Sequence, residues 1–394
     1  MFARHALPVA AALLSVPVFM LASSGSGGAA ATATAGHPVR LAAASRADSS
    51  PAAWSRLCAA RPTPAITRAL KRHIPRSLGD VHVTAISPDG RLLYATVGNG
   101  DIVTVDGFRG LEVINDRTWK VLARLRLPAK PDWAGPAQTA GRWYVWIEYY
   151  SDTNLDKFTV HACNTVTGQV RNIGSSVPGW SSPSQSPAAS GNYAAWVEGD
   201  GPGPVDKVVL ADLSTGRDRV VYQGHGHGHA LEPFFDGGLL VWPQSDMAQG
   251  TTTLTGINIR TGKPAVLPAA LRGVHAWNTI VTAGQQTAYI LSPDYDKLYY
   301  SPSPGQPAKV VLRAALGTLE DVKLGSGWLA WTGNATYLAS TRTGVYVKVT
   351  PEFGDASGNG SDMVAIGDYG GKKAPAPPQH LLDVSKLAWP HCSR

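Results

Sequence analysis

The chain has 394 residues and a formal net charge of +7 at pH 7, and 44% of its residues are hydrophobic. Its 42 glycines and 29 prolines are typical of a protein built from strands and turns, and no long helical periodicity occurs. The one basic run, residues 68–76, lacks the interleaved aromatic residues that stack on bases, which argues against nucleic acid as a partner.

Residues 1–35 have the pattern of a secretory signal peptide. Arg4 supplies the basic start, residues 6–22 form a short apolar stretch, and Ala33-Thr34-Ala35 provides a small-residue cleavage site. No other stretch is apolar enough to cross a bilayer, so we expect an extracellular protein that does not span the membrane. Residues 36–53, rich in Ala and Ser, are predicted to form a disordered leader.

Residues 54–79 are predicted to form an N-terminal capping segment. Residues 64–74 place Ile66, Ala69 and Leu70 on one side of a short helix. We expect this helix to cover an edge of the domain that follows.

A turn of the form Asn/Asp-x-x-Thr-Gly recurs through residues 80–394. It occurs at 164–169, 212–217 and 258–263, with altered copies at 115–120, where Trp119 replaces the glycine, and at 340–345. Gly168, Gly216 and Gly262 are 48 and 46 residues apart. A repeat of about 40–50 residues made of strands and turns predicts an all-β fold, namely a β-propeller of four-stranded antiparallel blades.

A second recurring pattern locates the inner strands of the blades. Gly141, Gly191 and Gly237 are each followed five residues later by a tryptophan, in stretches where apolar and polar residues alternate. The predicted blades begin near residues 80, 132, 180, 226, 273, 317 and 354. Seven blades fit best, and six or eight stay open because the last repeat matches poorly.

The first blade contains Ser87-Pro88-Asp89-Gly90-Arg91 within Ile86–Tyr94. This segment, together with the later Thr-Gly turns, resembles the repeats of TolB-like and WD-repeat-like bacterial β-propellers. The resemblance extends over most of the chain but only at the level of the repeat. It implies a propeller that serves as a binding platform, since only a minority of such proteins are enzymes, and it brings no shared catalytic motif.

The chain has three cysteines, Cys58, Cys163 and Cys392. Export favours one disulfide, and a propeller brings its two ends together, so we predict a bond between Cys58 and Cys392. Cys163 lies in a predicted strand and is expected to be a buried small apolar residue.

Five residues are predicted to form a ligand surface around the ring. Counting back eight or nine residues from the glycine of each blade reaches the beginning of the inner strand, near the central axis, where polar or aromatic residues recur. These residues are His82, Trp133, His229, His275 and Glu352. The alternative is that these positions are semi-exposed and tolerate any amphipathic residue.

Three histidines in one segment suggest a metal site. His225, His227 and His229 alternate with glycines, and residues two apart on a strand point the same way, so three imidazoles would share one face. Glu232 follows as a candidate base. Straight strand spacing is too wide for one ion, so a flexible loop that binds zinc or copper adventitiously is the competing interpretation.

The leading hypothesis from these patterns is a secreted, monomeric binding or scaffold protein without a cofactor. Its partner would be a cell-wall polymer, a carbohydrate or a protein held over one face of the ring. The alternative is a metal-assisted extracellular lyase or hydrolase that uses the histidine cluster.

Overall fold

The computed structural model describes residues 55–98, 108–125, 133–150, 157–175, 186–199, 206–224, 228–246, 251–275, 280–291, 295–368 and 379–392. Most of these residues form antiparallel sheets. No helix within these ranges has the length and apolar character that crossing a membrane requires.

An N-terminal segment precedes the first sheet and contains strand β1 (Cys58–Ala59), helix α1 (Pro64–Ala69) and a 3-10 turn (Arg76–Leu78). The backbone N–H of Ile66 donates to Oγ1 of Thr63 at 3.3 Å, which caps the start of α1. The helix ends at Ala69, before the predicted end at residue 74. After Ala69 the backbone N–H groups of Lys71 and Arg72 donate to carbonyls three residues earlier, and the N–H of Ile74 donates to the carbonyl of Gln379 at 3.0 Å.

Three four-stranded sheets come first. Blade 1 consists of β2 (Asp80–Ile86), β3 (Leu92–Gly98), β4 (Phe108–Asn115) and β5 (Val121–Leu125). Blade 2 consists of β6 (Trp133–Ala140), β7 (Trp143–Tyr149), β8 (Phe158–Asn164) and β9 (Gln169–Ser175). Blade 3 consists of β10 (Ala188–Ser190), β11 (Tyr193–Gly199), β12 (Asp206–Asp212) and β13 (Arg217–Gln223).

Four less uniform sheets follow. Blade 4 has an inner strand in two pieces, β14 (Gly228–Ala230) and β15 (Phe234–Asp236), then β16 (Leu239–Asp246) and β17 (Thr251–Asn258). Blade 5 consists of β18 (Ile280–Ala283), β19 (Gln286–Ile290), β20 (Lys297–Ser301) and β21 (Lys309–Arg313). Blade 6 consists of β22 (Val322–Gly325), β23 (Trp328–Thr332), β24 (Thr336–Ser340) and β25 (Val345–Lys348). Blade 7 consists of β26 (Gly354–Ser357), β27 (Met363–Asp368) and β28 (Gln379–Asp383), followed by a 3-10 turn (Val384–Lys386).

The seven sheets are the blades of a β-propeller, as the repeat predicted. The core lies between neighbouring blades, where the second strands contribute their tryptophans. Trp146, Trp196, Trp242 and Trp331 are at most 2% exposed, which confirms their predicted place in the core. Trp196 of blade 3, for example, packs in one cluster with Val145 of blade 2.

The recurring Thr-Gly turns share one geometry. In blade 2 the Asn164 Oδ1 accepts hydrogen bonds from the backbone N–H groups of Val166 and Thr167, at 3.0 and 3.3 Å, as an Asx turn does. Gly168 then adopts a φ of +71°, which glycine reaches without the steric clash of a Cβ. Trp119, which replaces this glycine in blade 1, adopts φ +57° all the same. The Asx turn therefore imposes its conformation even on a tryptophan.

The N-terminal segment closes the ring. Strand β1 adds to the outer edge of blade 6 in parallel with β25, and His73 forms a bridge to His380 at the outer edge of blade 7. Cys58 is bonded to Cys392 with a Cα–Cα distance of 6.0 Å, which confirms the predicted disulfide. Cys163 is buried, also as predicted.

Candidate functional site

The inner strands of blades 2–6 and a turn of blade 7 surround a cavity of about 710 Å³. It extends from the gap between β14 and β15 to the turns that follow the inner strands. The polar and charged side chains among its described lining residues are Gln138, Thr139, Ser186, Ser190, Glu232, Thr282, Asp321, Lys323 and Asn359. Polar groups from several blades thus converge on one concave place, which is a common feature of ligand sites.

An ion pair lies in the wall of this cavity. The Lys323 Nζ is 2.8 Å from Asp321 Oδ2, and the two side chains are 31% and 41% exposed. Burial alone would lower the pKa of Lys323, but the charge and hydrogen bond of Asp321, with the charges of Glu232 and Asp355, outweigh it and raise the pKa. Lys323 is therefore a stable ammonium group among three carboxylates that come from blades 4, 6 and 7.

His82 joins the first and last blades beside this group. Its Nε2 is 3.4 Å from Asp355 Oδ2, and its Nδ1 is 2.9 Å from Gln379 Nε2. The Gln379 Oε1 accepts from the backbone N–H of Val83 at 2.6 Å, so the amide NH₂ of Gln379 faces His82. The Nδ1 of His82 is then the acceptor, and Nε2–H points at Asp355. This predicted ring residue thus belongs to the seam that closes the propeller.

His229 is held by a buried carboxylate. Its Nδ1 is 2.9 Å from Asp206 Oδ2, and the backbone N–H of Ala230 donates to the same oxygen at 3.2 Å. Asp206 is fully buried, whereas the His229 side chain is 24% exposed. The buried carboxylate therefore fixes the orientation of the His229 ring through its Nδ1.

The other predicted ring residues occupy separate positions. His275 is exposed, with Nδ1 2.9 Å from the carbonyl oxygen of Thr252, and Glu352 is exposed ahead of β26. Trp133 is the first residue of β6, and its side chain is outside the described part of the structure. His82, His229, His275 and Glu352 are not among the described residues that line the cavity, so their role in binding stays a prediction.

The predicted metal cluster is only partly within the described residues. His225 and His227 lie outside them, whereas His229 and Glu232 lie inside. Within the described part, no group of three or more His, Cys, Asp or Glu side chains is arranged to hold a metal ion.

Two glutamates, one buried and one half-buried, were not anticipated from the sequence. Glu148 is fully buried and accepts hydrogen bonds from Trp146 Nε1 at 2.9 Å and from the Tyr150 hydroxyl at 2.8 Å, and His161 Nε2 lies 3.2 Å away. In blade 3 the Trp196 Nε1 donates to Glu198 Oε1 at 2.6 Å, and burial raises the pKa of Glu198. The signal was the spacing Trp-x-Glu, which recurs in these two blades and places both side chains on one face of the strand.

Comparisons with known proteins support the fold. No family model matches the chain, and no curated protein matches it. Among solved structures it is similar to a prolyl endopeptidase, with a TM-score of 0.51, 13% identity and coverage of 82% of this chain. The matching part is 49% of that enzyme, so the chain spans about half its length. At this identity the likeness shows the β-propeller and no activity.

Two further structures match with lower scores. TolB from Acinetobacter baumannii has a TM-score of 0.42 and 12% identity over 65% of this chain and 62% of TolB. The β-propeller domain of the Trilobed protease from Pyrococcus furiosus has a TM-score of 0.43 and 9% identity, over 64% of this chain and 80% of that domain.

Proposed function

We propose that this chain is a secreted binding protein that recognises a cell-wall polymer, a carbohydrate or a protein partner over one face of the propeller. The observation that carries the proposal is the cavity of about 710 Å³, to which the inner strands or turns of six blades contribute. A partner placed on the axis would contact all of them at once. The signal-peptide pattern and the Cys58–Cys392 bond both support an extracellular location.

The charged groups in the cavity suit recognition. Asp321 and Glu232 lie on different blades, and the charges of both act on Lys323, so a ligand meets an ammonium group and carboxylates in one cavity. Fixed groups bind with a smaller loss of conformational entropy than groups that must be ordered by the ligand. The Lys323–Asp321 pair would orient a polar ligand group, and Glu232 would accept a hydrogen bond from it.

The test compares two glutamates that differ in position and little else. Glu232→Gln changes a cavity residue, whereas Glu320→Gln changes an exposed residue beside Asp321. The probes are fluorescent cell-wall fragments and a glycan array. We expect Glu232→Gln to weaken binding about tenfold, as the loss of a charge-assisted hydrogen bond does, and Glu320→Gln to have almost no effect. Equal binding by both variants would show that the cavity is not the site.

A second candidate is a metal-assisted lyase or hydrolase built on His225, His227 and His229, with Glu232 as the base. The observation in its favour is the Asp206–His229 hydrogen bond, because a carboxylate that fixes one ring nitrogen commonly leaves the other to bind a metal. The test is the metal content of the untagged mature protein after dialysis. About one zinc or copper per chain, lost in His227→Ala, would support this candidate, and a metal-free protein would remove it.

A further inference from the structure

Two turns of each blade lie on the same face of the propeller. One joins the first strand to the second, and the other follows the third strand. Backbone hydrogen bonds join the two turns within a blade. The N–H of Asp116 donates to the carbonyl of Arg91 at 3.1 Å, and the N–H of Thr165 donates to that of Arg142 at 2.8 Å. We call this surface the turn face. The cavity also reaches it, through the turns that contain Gly191 and Gly237.

Basic residues follow one another along the turn face from blade 1 to blade 4. In blade 1, Arg91, Arg117 and Lys120 are exposed. Arg91 Nε lies 3.9 Å from Asp89 Oδ2, and both side chains are more than half exposed, so this pair leaves most of the arginine charge available. In blade 4, Arg260 and Lys263 are exposed on the Thr-Gly turn.

Between these blades the arginines are held in place. The guanidinium groups of Arg142 and Arg171 lie 5.5 and 4.7 Å from the centre of the Trp143 ring, which is a cation–π arrangement. Arg219 of blade 3 donates from Nη2 to the carbonyl of Ile259 in blade 4, at 3.1 Å. This side chain bridges two neighbouring blades, so the positive charge continues across the boundary between them.

The acidic residues of the same turns offset only part of this charge. The described turns and adjoining strand ends of blades 1–4 carry nine Arg or Lys residues and five Asp residues. Asp236 is buried, and Asp212 Oδ1 is occupied by the backbone N–H groups of Ser214 and Thr215. In blades 5–7 the described turns carry three basic and two acidic residues. The excess of positive charge is therefore concentrated in an arc over blades 1–4 and is not shared equally by the whole ring.

The chemistry of this arc selects the class of ligand. Arginine pairs with phosphate through two parallel hydrogen bonds. Arg217 and Arg219 are two apart on β13 and therefore about 6–7 Å from each other, a spacing that suits successive phosphate groups of a polymer with a short repeating unit. The exposed large apolar side chains of the described residues are aliphatic apart from Phe353, which precedes β26 and is not on a turn. Trp119, on the blade 1 turn, is only partly exposed and its ring centre lies 5.6 Å from the Arg72 guanidinium, so little aromatic surface is open to stack on a base or sugar ring. A polymer of charged, flexible repeats needs no stacking partner.

We propose that the turn face of blades 1–4 binds a polyol phosphate polymer, the chemistry of a teichoic acid, and so retains the protein at the cell surface. The proposal rests on secretion, as the proposed function does, but not on the cavity. A polyanion that neutralises several arginines would release counterions, so its binding should weaken steeply with salt.

The experiment uses two double variants with the same change in net charge. Arg217→Gln with Arg260→Gln removes charge from the turn face, where both residues are exposed. Arg313→Gln with Lys348→Gln removes exposed charge at the ends of β21 and β25 that are remote from the turns. Dissociation constants for poly(glycerol phosphate) are measured between about 50 and 200 mM salt. We expect the turn-face variant to bind about tenfold more weakly at low salt, with a salt slope reduced by about two.

Several outcomes separate this proposal from its competitors. An unchanged affinity in Arg313→Gln with Lys348→Gln would support a local site, and an equal loss in both variants would overturn it in favour of net charge alone. Equally tight binding of polygalacturonate or single-stranded DNA would overturn the assignment to polyol phosphate. Glu232→Gln should bind the polymer as the wild type does, and a loss there would overturn the separation of the arc from the cavity.

Discussion

The two faces of the propeller are stabilised in different ways. At the turn face each turn closes on itself, as where Asn164 accepts hydrogen bonds from residues two and three positions further on. At the opposite face, where the inner strands begin, the side chains depend on distant parts of the chain. His82 contacts Asp355 of the last blade, and His229 of blade 4 contacts Asp206 of blade 3.

This difference separates local from global determinants of stability. A turn defined by its own residues forms wherever its motif occurs, whereas a contact between blades exists only when the ring is closed. Disrupting the closure or a contact between blades should therefore cost more than disrupting a turn. Three changes test this order, beginning with the largest expected effect, and a fourth tests a buried carboxyl at the end of an inner strand.

The disulfide should contribute most. Replacing Cys58 and Cys392 together by Ser removes a cross-link between residues 334 apart in sequence. We expect the free energy of unfolding to fall by about 3–5 kcal/mol, because the unfolded chain regains the entropy that the bond restricted. Denaturant titration measures this, with Cys163→Ala as a buried-cysteine control. A loss below about 1 kcal/mol would show that the ring closes without the bond.

His229→Ala should have the next largest effect. It leaves the fully buried carboxylate of Asp206 without its imidazole partner, for which we expect a loss of about 3 kcal/mol in unfolding free energy. His275→Ala, at an exposed histidine, should change stability by less than about 0.5 kcal/mol. Thermal unfolding of both proteins compares them. Equal melting temperatures would leave His229 free for a role in binding alone.

A turn substitution should cost less. Gly216→Ala places a Cβ on a residue with φ +72°, and this Cβ would lie 3.3 Å from Arg171 Nη1. The expected loss is about 1–2 kcal/mol, since L-residues are disfavoured in the left-handed region. Gly238→Ala is the matched control, because it has no positive φ and its Cβ would meet nothing within 4 Å. A smaller loss in Gly216→Ala than in the control would contradict the turn argument.

Asp236→Asn should stabilise the protein, and only at neutral pH. Asp236 is 7% exposed, its Oδ2 has no hydrogen-bond partner among the described residues, and burial raises its pKa. When the pKa of a carboxyl is raised in the folded state, the free energy of unfolding falls as the pH rises from the ordinary carboxyl pKa near 4 towards the raised pKa. The variant should therefore exceed the wild type by about 1 kcal/mol at pH 7. The gain should vanish near pH 4, and a gain that did not depend on pH would exclude ionisation as its cause.

The fold followed from the sequence because its signals are local and repeated. The Thr-Gly turns and the glycine-to-tryptophan spacing each specify a hairpin, and their period indicates a ring for which seven blades fit best. The same reasoning failed to find Glu148 and His161, which meet across neighbouring strands in the interior. In the sequence, such a glutamate looks like any other polar residue of a strand, so its burial was not predicted.

The candidate site was harder to predict for the same reason. Counting along the repeats placed His82 at the beginning of an inner strand, but its pairing with Asp355 arises only where the last blade meets the first. The cavity residues Asp321 and Lys323 were not singled out, because nothing in the short segment around them differs from an ordinary exposed pair.

The sequence by itself determined the all-β propeller, its blade pattern, the turns and the pairing of Cys58 with Cys392, since each depends on residues close in the repeat or on the meeting of the two ends. Only the tertiary structure decided which side chains share the central cavity and which arginines form a continuous arc. Those neighbours come from different blades, and the distance between them is set by how the blades pack around the axis and not by their separation along the chain.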